Sequence, residues 1–186
     1  FLNKIKRMNN MKEYVDILNE ITGEVTGETI SKKEAHKTGV WHGSVHIWII
    51  SEDKKRILLQ KRCADKDLFP NMWDISVGGH ISAGEDSLVS AKRELSEELG
   101  LNPEEFTFQY VDKIKEKFEY EDILSNEFVT IYKIVSDVNI DSLILQKEEV
   151  SEARWFTKDE LNSLRDELKV IPHIEEFNMI YNILGD

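Results

Sequence analysis

Gly79 to Leu101 reads GHISAGEDSLVSAKRELSEELGL, and the rest of the chain is best understood outward from it. From Asp86 to Leu99 there is no Gly or Pro, and Leu88, Ala91, Leu95 and Leu99 recur at helical spacing. Asp86 is a favourable N-cap residue, and Gly100 suits the left-handed position just past a helix C-terminus. The stretch predicts a helix entered from a Gly-containing loop, with one apolar stripe turned to a core. Glu94, Glu97 and Glu98 stand at i, i+3 and i+4 on that helix, with Cβ atoms about 5–6 Å apart. Three carboxylates so close repel one another. Arg93 can reach Glu97, but one cation does not balance three anions. An all-oxygen cluster of this kind favours Mg2+ or Mn2+, and Mg2+ readily bridges carboxylates to substrate phosphates. The plain alternative is a solvated acidic helix face.

The spacing goes further than three glutamates. Gly79, five residues, Glu85, seven residues, Arg93-Glu94-Leu95, Ser96, Glu97-Glu98, Leu99, Gly100 and Leu101 match G-x5-E-x7-R-E-U-x-E-E-x-G-U, with U a bulky aliphatic. A chance match is on the order of one in a billion per start point. The stretch resembles the signature of the Nudix hydrolase superfamily. That resemblance implies Glu94, Glu97 and Glu98 as metal ligands, with the Gly79 carbonyl as a further one. It implies Arg93 as the residue that holds Glu97 or Glu85. It also implies attack of a metal-activated water on a diphosphate, one glutamate serving as base. Glu97, Glu98 and a downstream carboxylate all remain open for that role.

Composition sets the outer limits. A chain of 186 residues is long enough for one domain with a real core, and a single domain over 1–186 is expected. The net charge of −12 argues against nucleic acid and against anionic membrane as partners, since both need basic surfaces. A phosphorylated small molecule stays compatible, because bound metals invert the local field. No run approaches a membrane span, and no signal peptide is evident. One cysteine, Cys63, leaves no internal disulfide and is read as a small half-buried residue. Together these features point to the cytoplasm. Residues 1–10 precede plausible starts at Met11 and Met8 and are read as an N-terminal extension.

Taken in order, Glu13–Leu18 reads as a strand, a turn follows, and a second strand lies near Glu28–Ile30. Ser31 opens a capped turn or short helix, with Glu34 three residues on. Val40–Ile50 is the strongest strand signal: Val45, Ile47 and Ile49 on one side, His46, Trp48 and Ile50 on the other, as in a central strand. Arg56–Arg62 returns beside it, and Met72–Val77 delivers the chain to the signature. Phe106–Lys113, Phe118–Ser136 and Glu148–Phe156 are the later strands. Thr157 caps a helix to about Leu168, and Pro172 opens a last helix to about Leu184. Strands and helices in this order predict an α/β/α sandwich around a mixed sheet, the fold that the resemblance also implies for a core of about 41–168. The loops Ala64–Asn71 and Ile114–Asn126 are where specificity is expected. A homodimer is common in the resembling family.

A narrower resemblance covers Glu13 to His80, which is similar to the type I isopentenyl-diphosphate isomerases. His36 in EAHKTG, His42 in VWHGSV, His80, and Glu127 in SNEF match their metal-binding histidines and later glutamate. Arg62 and Lys66 match their basic diphosphate contacts. Two positions depart. The cysteine those enzymes carry is Gly78 here, and the carboxylate two residues before Glu127 is Ser125. Moving a proton across a double bond needs an acid and a base, and glycine supplies neither. His36, His42, His80 and Glu127 are kept as a second, transition-metal site of the Zn2+ or Mn2+ type. Glu127 is alternatively a ligand of the first metal or its base. His46 and His173 are read as structural. Lys61, Arg62 and Lys66 could clamp a diphosphate, with surface charge at a strand end as the plain reading. Trp73, just before the signature, is expected to line the substrate pocket. The expected function is a metal-dependent diphosphohydrolase acting on a nucleoside diphosphate linked to another moiety. An isomerase and a non-catalytic diphosphate-binding module are the rivals.

Overall fold

The computed structural model of the chain describes residues 14–185; the expected N-terminal extension lies outside them. Two antiparallel strands, β1 (Tyr14–Leu18) and β2 (Val25–Ser31), form a small separate sheet. Ser31 then caps α1 (Lys32–Thr38), its side chain accepting from the Glu34 N–H at 3.2 Å. The main sheet has seven strands: β3 (His42–Ile50), β4 (Arg56–Arg62), β5 (Trp73–Asp74), β6 (Val77–His80), β7 (Gln109–Tyr120), β8 (Ile123–Val135) and β9 (Val150–Thr157). β3 is the hub. It runs parallel to β8 and antiparallel to β4 and β6, so the sheet is mixed as expected.

Helices cover both faces. Ala91, Leu95 and Leu99 of α2 (Ser87–Leu99) pack with Val45, Ile47 and Ile49 on one side. Leu161 of α3 (Lys158–Asp166), with Phe177 and Ile180 of α4 (Ile174–Ile183), packs with Trp48 and Ile50 on the other. The alternation read along β3 is therefore the division between the two cores. Both ends of α2 are built as the sequence predicts. Asp86 accepts from the Leu88 N–H at 2.8 Å, and Gly100 adopts φ 67°. Thr157 and Glu160 close a reciprocal cap at the start of α3. No described helix is long and apolar enough to cross a membrane.

Two expectations are corrected. Ile114–Asn126 is no loop: β7 and β8 run through it as a continuous hairpin that turns at Glu121, φ 51°. Alternating Lys and Glu along β7 disguise a period-two pattern whose less exposed positions are Ile114, Glu116 and Phe118. Cys63 is buried rather than half-buried, its thiol donating to the Glu148 carbonyl at 2.8 Å.

Candidate active site

A cavity of about 580 Å³ opens where the ends of β3, β6 and β8 meet α1, α2 and the 65–69 loop. Glu94, Glu97 and Glu98 line one wall of it, as their spacing predicts. Glu94 lies against Gly79 so closely that a Cβ there would fall 2.3 Å from its carboxyl carbon. Glycine at position 79 is thus what lets the carboxylate reach the strand backbone. Arg93 donates to Glu94 Oε1 at 2.6 Å and sits 3.5 Å from Glu97. The same guanidinium reaches Glu85 and the His80 carbonyl at 3.3 and 3.2 Å. One arginine therefore ties the helix to the entering loop. Glu98 accepts from Gln60 Nε2 at 3.0 Å and from the Gly78 N–H at 3.3 Å. Burial pushes both the Glu94 and Glu98 carboxyls up, Glu98 strongly, and the neighbouring Glu94 charge adds to that. The arginine and the two donors reduce this destabilisation without removing it. Buried carboxylates raised in this way fit a divalent cation as counter-charge.

The histidines assemble beside these glutamates, His36, His80 and Glu127 lining the same cavity, and sheet register explains why. Parallel pairing sets His42 beside Glu127, and antiparallel pairing brings His80 to Ser44, two residues along β3. α1 delivers His36. The Nε2 atoms of His80, His42 and His36 lie 3.5, 3.7 and 3.9 Å from Glu127 Oε1, and His36 and His80 meet at 3.1 Å. His42 Nδ1 bonds the Val40 carbonyl at 3.0 Å, which fixes the tautomer and turns the Nε2 lone pair inward. That Nε2 is buried and has no hydrogen-bond partner. Burial and the His80 ring push the His36 imidazole down to about 4, so it stays neutral at neutral pH. An inward lone pair and a neutral neighbour are what a transition metal needs from imidazole. Ser125, where the isomerases carry a carboxylate, donates its hydroxyl to Glu127.

The expected diphosphate contacts divide. Arg62 and Lys66 line the cavity, Arg62 held by Asp74 at 3.0 Å and Lys66 paired with Glu149. Lys61 and Trp73 are not brought to it. Trp73 is 8% exposed and packs edge-on to Phe156 at 4.7 Å in the core under α3 and α4, with Lys61 over its outer face. Strand β5 is short and pairs with β4, which turns that indole inward. Sequence reading missed Lys32, whose ammonium lines the cavity and feels Glu94 and Glu97; burial lowers its pKa. Its one signal was a lysine directly after a helix cap. Phe69 and Phe118, edge-to-face at 5.3 Å, add an aromatic wall that no local motif announced.

A NUDIX domain model matches residues 40–177. The chain belongs to the Nudix hydrolase family. It is 38% identical over 173 residues to an uncharacterized Nudix hydrolase of Listeria monocytogenes, covering 93% of this chain and 95% of that one. It is 39% identical over 153 residues to Nudix hydrolase 3 of Arabidopsis thaliana, covering 80% of this chain but spanning only 20% of the plant protein. Among solved structures, DR0079 from Deinococcus radiodurans superimposes with a TM-score of 0.73 at 22% identity, covering 91% of this chain and 99% of that one. A C. elegans Ap4A hydrolase complex gives 0.54 at 21% identity, covering 75% and 92%. At those identities the structural likeness carries the fold alone. As a Nudix hydrolase the protein is an enzyme, and hydrolysis of a pyrophosphate bond fits its family.

Proposed function

We propose that this Nudix hydrolase cleaves the diphosphate of a nucleoside diphosphate linked to another moiety, with Glu94, Glu97, Glu98 and the Gly79 carbonyl holding Mg2+ or Mn2+. The observation that carries the reading is the placement of Glu94 and Glu98, both buried against Gly78 and Gly79 at the edge of the cavity. Held by these residues, a divalent cation would supply an acidified water and a counter-charge for the leaving phosphate. The chain's own residues supply the rest. Arg93 fixes the rotamers of Glu94 and Glu85. A glutamate of the trio takes the proton from water; Glu98, enclosed and oriented by Gln60 and Gly78, is the one we assign. Lys32, Arg62 and Lys66 offer positive charge to the phosphates, and Phe69 with Phe118 offers an apolar wall to the attached group. Hydrolysis of a panel of nucleotide sugars, dinucleotides and nucleoside di- and triphosphates, compared with Glu97→Gln and Glu98→Gln, tests this. Unchanged turnover in both variants defeats the assignment.

A second reading rests on His36, His42, His80 and Glu127, which we propose as a transition-metal site of the Zn2+ or Mn2+ type. It supports an isomerase of isopentenyl diphosphate. Position 78 opposes it: a Cβ there would sit 2.8 Å from Ile75 Cδ1, so the missing cysteine would also have to displace a core side chain. Absence of dimethylallyl product from isopentenyl diphosphate removes this reading and leaves the hydrolase standing.

A further inference from the structure

Deeper in the same sheet face lies a second cluster that the hydrolytic reading does not use. His46 stands four residues beyond His42 on β3, on the same side. Glu116 of β7 is the register partner of Glu127. His173 is the N-cap of α4 and Glu176 lies in its first turn, three residues on. One ligand atom from each of these four residues lies within 4.8 Å of every other. His46 Nδ1 is 2.6 Å from Glu176 Oε1, and His173 Nδ1 is 2.8 Å from Glu116 Oε1 and 3.9 Å from Glu176 Oε1. Ligand atoms of a tetrahedral zinc stand roughly 3.3 Å apart, as bonds of about 2.0–2.1 Å require. The observed spacings straddle that value.

We propose that His46, Glu116, His173 and Glu176 form a further transition-metal site, of the zinc type, on the lining of the same cavity, to which His46, Glu116 and His173 contribute, and that it fastens α4 to the sheet. The supporting contacts are those of a built site. His173 Nε2 lies 3.0 Å from Asp74 Oδ1, the arrangement in which a carboxylate orients an imidazole and leaves Nδ1 for the ion. Asp74 is in turn held by Arg62 at 3.0 Å. Glu176 Oε2 accepts from Trp48 Nε1 at 2.7 Å, which leaves Oε1 for the ion. With Asp74 matched by Arg62, the two remaining carboxylates carry the charge that one divalent cation neutralises. Two imidazoles that give up a proton to the ion and two carboxylates also suit zinc better than magnesium. His173 occupies the N-cap of α4 yet makes no side-chain cap bond, so a residue poorly suited to that position is kept while its ring serves the cluster. The rival account is a purely organic network in which the same groups satisfy one another through hydrogen bonds.

The test uses the full chain and Zn2+ alone. A background carrying His36→Ala and Glu127→Gln removes two groups of the other histidine cluster. After zinc loading and desalting, elemental analysis should find one equivalent in that background. Adding Glu116→Gln and His173→Asn should abolish it while circular dichroism shows the chain still folded. The zinc-loaded background should also melt higher than its chelator-treated form. Crystals of the unaltered chain grown with Zn2+ should show an anomalous peak at the zinc edge between the four side chains, which decides the matter even where a variant fails to fold. No retained zinc in the background, or crystals without that peak, overturns the proposal in favour of the organic network. Because the glutamates of α2 are untouched, either result leaves the hydrolytic reading where it stood.

Discussion

Two kinds of carboxylate share one cavity, and their surroundings drive them in opposite directions. Glu94 and Glu98 on α2 are buried, and burial holds both above the ordinary carboxylate range despite Arg93, Gln60 and the Gly78 N–H. Glu127, on strand β8, suffers the same burial, yet the close imidazoles of His42 and His80 outweigh it and hold the carboxyl well below that range. Glu176, still deeper, follows Glu127: burial raises it, and His46 and His173 bring it down. The strands supply their carboxylates with imidazole partners. The helix supplies its carboxylates chiefly with each other and one arginine. A glutamate without enough partners of its own is suited to an incoming cation and to taking a proton from water, and a glutamate surrounded by histidines is suited to holding its neighbours in place.

The largest effect that follows is on turnover. Glu98→Gln should lower diphosphate hydrolysis by about 10²–10⁴-fold. Glu127→Gln should cost much less in turnover while lowering zinc affinity of the histidine cluster by at least about 10–100-fold. Equal losses of turnover in both variants would erase the division between the two walls. Steady-state kinetics beside elemental analysis read both quantities.

Trp73→Ala comes next, as a control belonging to neither group of carboxylates. Its indole is core, so truncation should cost about 3–5 kcal/mol in denaturant unfolding. The KM of the folded fraction should barely move. A KM effect with little loss of stability would return Trp73 to the substrate pocket.

Gly79→Ala sharpens the helix side of the comparison. A methyl group 2.3 Å from the Glu94 carboxyl carbon has to push that side chain away. Overpacking of this kind costs about 1–3 kcal/mol. Activity should fall further than that stability loss explains, because a proposed ligand is displaced, and kinetics on the folded protein measure it. The smallest effect is Asp86→Ala, which removes the cap of α2. Thermal unfolding should report about 1 kcal/mol, with turnover per folded molecule unchanged.

How much was legible follows the same division. The helix wall was readable because its parts are consecutive: spacing along one helix fixes which side chains share a face, and the cap and the terminal glycine mark the ends. The histidine wall was readable only as a family resemblance, since residues 36, 42, 80 and 127 meet through strand register, which a single sequence does not state. The deeper cluster was read as two structural histidines. Nothing local links His46 to Glu176, 130 positions away, or Glu116 to His173. The hairpin of β7 and β8 was broken too early because its charged residues hid the alternation, and Trp73 was assigned by nearness in sequence where a two-residue strand turns it inward.

The central claim is that Glu94, Glu97 and Glu98 together hold a divalent cation at the cavity. Crystals soaked in Mn2+ with a non-hydrolysable diphosphate analogue, measured at the manganese edge, test it directly. The account predicts an anomalous peak about 2.2 Å from carboxylate oxygens of that trio, with a phosphate oxygen of the analogue on the same ion. Manganese confined to the histidine cluster, with no peak at the three glutamates, would contradict it.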